Sequence, residues 1–373
     1  MLNPETLVKA HRRVNNRKVK TVAFNALRWS GLRHLVVRMD TINLCNLRCK
    51  MCYYSFDYHR KREQMDLPLF RKIAEDVFPK TRFLYLSCAT EPLMNKQFAE
   101  FLRIAGEYKV PFTSFCTNGQ LLRKEVITAC LDTGLSEIIF SIDGATAPTY
   151  EAIRRGGKWE RLLENLDLLV AMKKEAGTTK PAIRINFTCM ESNIRELPAM
   201  AEFAVKRGAQ SLHVRHLTAY GGADSSYREE IAYRDLFNGM AAEAKKVAAA
   251  AGLDLFLPDP IPERDPSGKS CTTDGTRISR PKEANPYCML PWFQAIISWN
   301  GDYRICSWHN MGNLREQSFA EIYNGPKMRE IRNKMLWRKP DSCSWNCHLE
   351  AYDVPEVPEE VGEPEPESPI GAL

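Results

Sequence analysis

Residues 136–190 read SEIIFSIDGATAPTYEAIRRGGKWERLLENLDLLVAMKKEAGTTKPAIRINFTCM. An apolar, β-branched run at 136–144 ends in Asp-Gly, residues 159–177 carry apolar positions at helical spacing, and a second alternating run follows at 182–190. Two strands joined by a long helix require a crossover, so they lie parallel and the unit is βαβ. The alternation continues on both sides, with strand-like runs at 35–40, 82–88, 110–119 and 211–217 and helical patterns at 67–78 and 196–208. Such a series predicts an α/β fold whose parallel sheet is open or closed into a barrel, with ligands bound at the C-terminal ends of its strands. After Gly252 the pattern breaks into a Pro-, Gly- and Asp-rich connector, and residues 286–350 are aromatic and cysteine-bearing, which predicts a small second domain.

The composition fits a globular chain: 373 residues, 44% hydrophobic and 26% charged, which excludes collagen, a coiled-coil rod and disorder throughout. No apolar run approaches the ~18 residues that span a bilayer. The charged N-terminus lacks the apolar core of a secretory signal, so the expected location is the cytoplasm. In that reducing compartment the 12 cysteines point to metal or redox chemistry rather than disulfides. The net charge of +6 conceals an asymmetry, because residues 353–373 carry seven acidic residues, five prolines and no Lys or Arg. This acidic, Pro-rich tail is expected to be disordered. Residues 1–34 form a basic extension of helical spacing, expected to pack its apolar side on the following domain; residues 9–29 leave weak membrane-surface contact open.

The chemistry concentrates in two cysteine groups. Cys45, Cys49 and Cys52 occupy the loop after the first strand, and three thiolates within eight residues can wrap one face of an iron–sulfur cube while leaving its fourth iron without a protein ligand. A zinc site, with His59 as fourth donor, is the alternative. Cys288, Cys306, Cys343 and Cys347 form the second group, for which a four-cysteine zinc knuckle is the alternative to a cluster.

At Cys45, Cys49 and Cys52 the sequence resembles the radical S-adenosylmethionine (SAM) superfamily, whose CxxxCxxC loop follows the first strand of a partial (βα)6 TIM-like barrel. The resemblance implies SAM bound to the open iron of a 4Fe-4S cluster and its reductive cleavage to methionine and a 5′-deoxyadenosyl radical. Glu91-Pro92 matches the end of the family's glycine-rich motif, although Cys88, Ala89 and Thr90 stand where glycines are usual. By the same resemblance Glu91, Asn118, Ser141, Asp143, Arg184 and Asn186 are candidate SAM contacts, with a structural salt bridge as the alternative for Arg184. Asn118-Gly119 and Asp143-Gly144 also read as plain turn chemistry. Residues 150–157, YEAIRRGG, resemble the stretch found in SAM enzymes with C-terminal cluster domains, and the second cysteine group resembles a SPASM or twitch domain holding one auxiliary 4Fe-4S cluster. The implied organisation is a basic extension at 1–34, a radical SAM barrel at 35–260, a SPASM/twitch domain at 261–352 and the tail at 353–373.

The resemblance implies hydrogen-atom abstraction from a small polar substrate, a carbohydrate, cyclitol or nucleotide-linked compound, with net oxidation assisted by the auxiliary cluster. The basic body points to an anionic one. Flavodoxin or ferredoxin is the implied reductant. Peptide crosslink or thioether formation and radical epimerisation are the alternatives within the family, and the 34 residues before the first strand are too few for the winged-helix domain of many peptide maturases. Of the remaining cysteines, Cys88, Cys116, Cys189 and Cys271 are candidate hydrogen donors, whereas Cys130 reads as core. His216, Tyr220 and His309 are candidate general bases. A zinc-stabilised nucleic-acid-binding protein is the alternative of another class.

Overall fold

A computed structural model describes residues 31–55, 61–87, 89–217, 231–258, 290–306 and 309–337, together with Val22, Asn25 and Ala26. Its strands are β1 (Leu35–Met39), β2 (Thr81–Leu86), β3 (Phe112–Thr117), β4 (Glu137–Ser141), β5 (Ala182–Cys189), β6 (Ser211–His216), β7 (Asp254–Phe256), β8 (Gln294–Ile297), β9 (Asp302–Arg304) and β10 (Asn310–Asn313). The helices are α1 (Leu67–Val77), α2 (Phe98–Glu107), α3 (Lys124–Asp132), α4 (Ala147–Ile153), α5 (Trp159–Glu175), α6 (Leu197–Lys206), α7 (Ile231–Ala251), α8 (Leu290–Phe293), α9 (Phe319–Tyr323) and α10 (Pro326–Trp337). All ten strands join one sheet in the order β10-β9-β8-β1-β2-β3-β4-β5-β6-β7. Neighbours from β1 to β7 pair in parallel.

The helices form where the sequence supplies both a start signal and an apolar stripe. Asp66 caps α1 by accepting the Leu69 N–H at 2.9 Å, Pro68 fits the first turn, and Leu69, Phe70, Ile73, Ala74 and Val77 are buried. The register gives the sheet two faces. On β5, Ile183, Ile185, Phe187 and Cys189 are at most 1% exposed and belong to one core with Leu166, Leu197 and Met200 of α5 and α6. Arg184, Asn186 and Thr188, on the other face, are only partly buried. Parallel pairing places partners on the same face, so Ile139 and Ser141 of β4 and Ser211, His213 and Arg215 of β6 continue this open face.

The C-terminal region continues the sheet. β8 pairs in parallel with β1, Val36 opposite Gln294 and Met39 opposite Ile297, and β9 and β10 follow antiparallel. Trp292 and Tyr323 are buried beside it, and Arg332 reaches Pro291 O at 2.8 Å and Tyr323 O at 2.8 Å. The segment just before β1 is anchored by Arg33, which donates to Phe78 O (2.7 Å), Thr81 O (3.2 Å) and Tyr108 O (2.8 Å). Most of the basic extension, and the whole tail at 353–373, lie outside the described residues.

Candidate functional site

The loop leaving β1 is clasped from two directions. Arg48 N–H donates to Arg155 O at 2.9 Å and Lys50 N–H to Ile153 O at 2.8 Å, while Leu44 O accepts Glu91 N–H at 3.1 Å. Leu47, 5% exposed, anchors the loop. Cys49 is 7% exposed and Cys45 and Cys52 are half-buried. The sulfurs face N–H donors: Leu47 N lies 3.4 Å and Asn118 Nδ2 3.7 Å from Cys45 Sγ, and Arg154 Nη1 lies 3.8 Å from Cys49 Sγ. Burial, reinforced by Glu91, pushes the Cys45 thiol up to about 12, and burial raises that of Cys49. A positively charged iron cluster reverses this penalty and holds its ligands as thiolates, and N–H groups aimed at the sulfurs suit it. The donor set therefore fits such a cluster. Among the described residues, no three His, Cys, Asp or Glu side chains are placed to hold a single metal ion, and His59, the fourth donor of the zinc alternative, lies outside them.

The loop after β2 is organised by Asp40. Its Oδ1 accepts Ala89 N–H at 3.1 Å, Thr90 N–H at 3.4 Å, and the hydroxyls of Ser87 and Thr90, each at 3.3 Å. Ser87 takes φ +90°, a conformation that favours glycine, and is held there by its N–H to Met39 O (2.5 Å) and its Oγ to Thr90 O (2.8 Å). Glu91 follows, 2% exposed, and its carboxylate accepts Thr117 Oγ1 at 2.7 Å, Asn118 N–H at 2.8 Å and Leu93 N–H at 3.2 Å. Burial raises its pKa to about 7 against these hydrogen bonds. Glu91 thus ties the end of β3 to the loop after β2, directly behind Cys45, and Asn118 extends the tie by donating to Asn46 Oδ1 at 2.9 Å. Cys88 lies outside the described residues.

At the end of β4, Ser141 Oγ is 3.3 Å from Cys116 Sγ on β3, so this candidate hydrogen donor does stand on the open face. Asp143 is 0% exposed; its Oδ1 accepts Thr188 N–H at 2.7 Å and its Oδ2 lies 2.6 Å from Arg154 Nη2. So enclosed, Asp143 faces the site only through its partner Arg154, whose side chain is 11% exposed and which the sequence reading did not single out. Its signal was present in YEAIRRGG. Gly144 makes the placement possible: a Cβ there would lie 2.5 Å from the Tyr150 backbone nitrogen, so only glycine lets α4 come this close to β4.

On β5, Arg184 Nη1 lies 3.5 Å from Glu137 Oε2 and its Nε donates to Asn186 Oδ1 at 3.0 Å, so the structural salt bridge is formed on the open face. Cys189 faces the other way. It is 0% exposed in the helix-covered core and pairs in register with His216, which corrects its expected place beside the site. His216 packs 4.4 Å from the Phe237 ring of α7, with its Nδ1 3.5 Å from Tyr233 Oη, and is likewise remote from the open face. The histidine on that face is His213, opposite Asn186 and with its ring 4.2 Å from that of Phe256 at a 35° tilt. Burial, with Arg184 and Arg215 nearby, lowers its pKa to about 3, so it is a neutral imidazole.

Cys130 is buried in α3, as expected of a core cysteine. Cys306 follows β9 and is half-buried against the core, and His309 precedes β10. Cys271, Cys288, Cys343, Cys347 and Tyr220 lie outside the described residues. A cavity of about 210 Å³ bounded by Leu102, Lys109, Thr133 and Ser136 sits at the opposite, N-terminal ends of β3 and β4 and includes none of the candidates. No helix among the described residues is long and apolar enough to cross a membrane.

Comparison with known proteins bears on this arrangement. The Radical SAM superfamily profile matches residues 39–204, and that of the SPASM iron–sulfur cluster-binding domain matches residues 288–348, a span that includes all four cysteines of the second group. The chain is 25% identical over 336 residues to the tungsten-containing aldehyde ferredoxin oxidoreductase cofactor-modifying protein of Pyrococcus furiosus, covering 82% of this chain and 86% of that protein. It is 26% identical to the AdoMet-dependent heme synthase of Methanosarcina barkeri, over 83% of this chain and 86% of the other. Among solved structures, SuiB of Streptococcus suis bound to S-adenosylmethionine superposes with a TM-score of 0.61 at 16% identity, over 88% of this chain and 72% of SuiB, and shares the fold. Radical SAM domains bind SAM and a 4Fe-4S cluster, and SPASM domains bind auxiliary iron–sulfur clusters. The parallel sheet, the cysteine loop after β1 and the two matched profiles establish the chain as a radical SAM protein with a C-terminal SPASM domain.

Proposed function

We propose that this protein cleaves SAM reductively at the open end of β1–β6 and directs the resulting radical to abstract a hydrogen atom from a small, polar, anionic substrate, with net oxidation assisted by the auxiliary cluster. In this reading Cys45, Cys49 and Cys52 hold the 4Fe-4S cluster with the open iron, and Cys288, Cys306, Cys343 and Cys347 hold the auxiliary one. Bound there, cluster and SAM supply the electron and the radical; the chain orients the substrate and keeps water out. Asn118, Ser141, Asn186 and Arg154 line the SAM side, with Glu91 and Asp143 acting through the groups they hold. Cys116, on the open face, is the hydrogen-donor candidate for the alternative outcome, redox-neutral epimerisation; net oxidation needs no such donor. Flavodoxin or ferredoxin is the proposed class of reductant, and residues 35–260 and 261–352 the proposed domains, sharing one sheet through β1 and β8.

The observation that carries the substrate class is the charge of the open face. Within β1–β6 it presents Arg38, Arg184 and Arg215 against one acidic side chain, Glu137, which Arg184 already engages. Such a surface favours carboxylates and phosphates. The test is the reconstituted full chain under anaerobic conditions with dithionite and SAM, followed by 5′-deoxyadenosine. Wild type is expected to form it and the triple variant Cys45→Ala, Cys49→Ala, Cys52→Ala to form none. Sugar phosphates and sugar acids are expected to raise the rate over their neutral parents. Absence of deoxyadenosine from the wild type defeats the radical reading, and equal stimulation by neutral sugars defeats the anionic one.

A second reading is modification of a larger acidic substrate. It is favoured by relatives that match four-fifths of this chain and are named as a cofactor-modifying protein, a heme synthase and, at 21% identity in Rhodopseudomonas palustris, PqqA peptide cyclase. Stimulation by an acidic cofactor precursor or peptide, and by none of the small panel, selects it.

A further inference from the structure

We infer that Arg154 sets the reduction potential of the cluster held by the loop after β1, raising it through Cys49, and that Asp143 holds this effect in check. The inference rests on the proposed role of Cys45, Cys49 and Cys52. Residues 153–155 attach to the loop in two independent ways. The neighbours of Arg154 clasp the loop through the backbone, Ile153 O and Arg155 O accepting the N–H groups of Lys50 and Arg48. The Arg154 side chain reaches Cys49, with Nη1 3.8 Å from Sγ, while Nη2 lies 2.6 Å from Asp143 Oδ2.

The position is fixed from behind. Gly144 admits α4 against the end of β4, and Glu196 accepts Ala145 N–H at 2.6 Å, Thr146 Oγ1 at 2.8 Å and Thr149 Oγ1 at 2.5 Å, locking the start of α4. The guanidinium cannot drift far from the loop.

Reducing the cluster adds one electron, taken from dithionite in the test below, and with it one negative charge. A cation that donates toward a ligand sulfur favours the reduced form and raises the potential, whereas a carboxylate lowers it. Both charges are sheltered, Asp143 at 0% and the Arg154 side chain at 11% exposure, so water screens them weakly. Cys49 itself is 7% exposed. Removing the guanidinium leaves the backbone clasp in place, which separates the electrostatic role from a structural one.

The test is a redox titration of the full chain, reconstituted anaerobically without SAM and followed by electron paramagnetic resonance. The relevant signal is the one lost in the Cys45→Ala, Cys49→Ala, Cys52→Ala variant. Arg154→Gln is expected to keep its iron and sulfide and titrate at a more negative potential than wild type, Arg154→Lys in between, and Asp143→Asn at a less negative one. A loosened loop would shift both positions the same way, so shifts of opposite sign support the inference. Unchanged potentials with iron retained, or shifts of the same sign, overturn it. Should Arg154→Gln lose its iron, Arg154→Lys and Asp143→Asn decide by the same criterion. A signal that survives the triple cysteine substitution overturns instead the location of the cluster, and the inference with it.

Discussion

The two faces of β5 and β6 are made of interleaved residues from the same strands, yet they obey different rules. The helix-covered face carries Ile183, Ile185, Phe187 and Cys189 beside Leu212 and Val214, at most 4% exposed and packed in the main core. The open face carries Arg184, Asn186 and Thr188 beside Ser211, His213 and Arg215, all polar or charged and, Ser211 apart, at most partly covered. Residue type does not decide which rule applies; the parity of the position does. His213 and His216 stand three residues apart on one strand, one beside two arginines and the other against Phe237.

This contrast can be broken by substitution at adjacent positions. Phe187→Ala is expected to cost about 3–5 kcal/mol, because a buried ring is lost from a core that cannot collapse around it. Thr188→Ala, one residue on, is expected to cost under about 0.5 kcal/mol, since its N–H to Asp143 belongs to the backbone. Equal losses in denaturant titrations would show that the faces are not distinct.

The cysteines sharpen it at a smaller scale. Cys189→Ser buries a hydroxyl among apolar neighbours and is expected to cost about 1–3 kcal/mol. Cys116→Ser, with Ser141 Oγ 3.3 Å from the present sulfur, keeps a hydrogen-bond partner and is expected to be nearly neutral. If Cys116 is also the hydrogen donor, Cys116→Ser lowers substrate-dependent turnover at unchanged stability; Cys189→Ser does the reverse. Thermal midpoints and substrate-dependent product formation measured together separate the two.

The last effect is one of pH. The folded-state pKa of His213 lies at about 3, below the unfolded value near 6.5, through burial and then Arg184 and Arg215. Its contribution is therefore fully present above pH about 6.5 and is lost as the pH falls toward 3, because the unfolded chain binds the proton more readily. Wild type is expected to lose stability more steeply than His213→Gln across this window. Parallel slopes in denaturant titrations from pH 7 to 4 would contradict a neutral imidazole at this place.

Much of this was legible in the sequence because it is local. Six strand-like runs fall on β1–β6, and the helical patterns at 67–78, 159–177 and 196–208 on α1, α5 and α6, since period and caps lie within each segment. β8 was not legible: four residues are too short to alternate visibly, and their partner β1 lies more than 250 positions earlier. Nor was α7, whose alanine-rich sequence leaves a faint stripe. In the site, the cysteine loop announced itself by spacing, whereas Arg154 acquires its place only from Cys49, 105 residues away, and from Asp143. Cys189 could have been placed by counting, since its parity is opposite to that of Arg184 and Asn186.

The most direct measurement is iron and acid-labile sulfide per chain after anaerobic reconstitution, with zinc assayed alongside. A catalytic and an auxiliary cluster predict about eight of each, falling to about four in the triple variant of Cys45, Cys49 and Cys52. Zinc without sulfide, or iron unchanged by the triple substitution, would contradict the account.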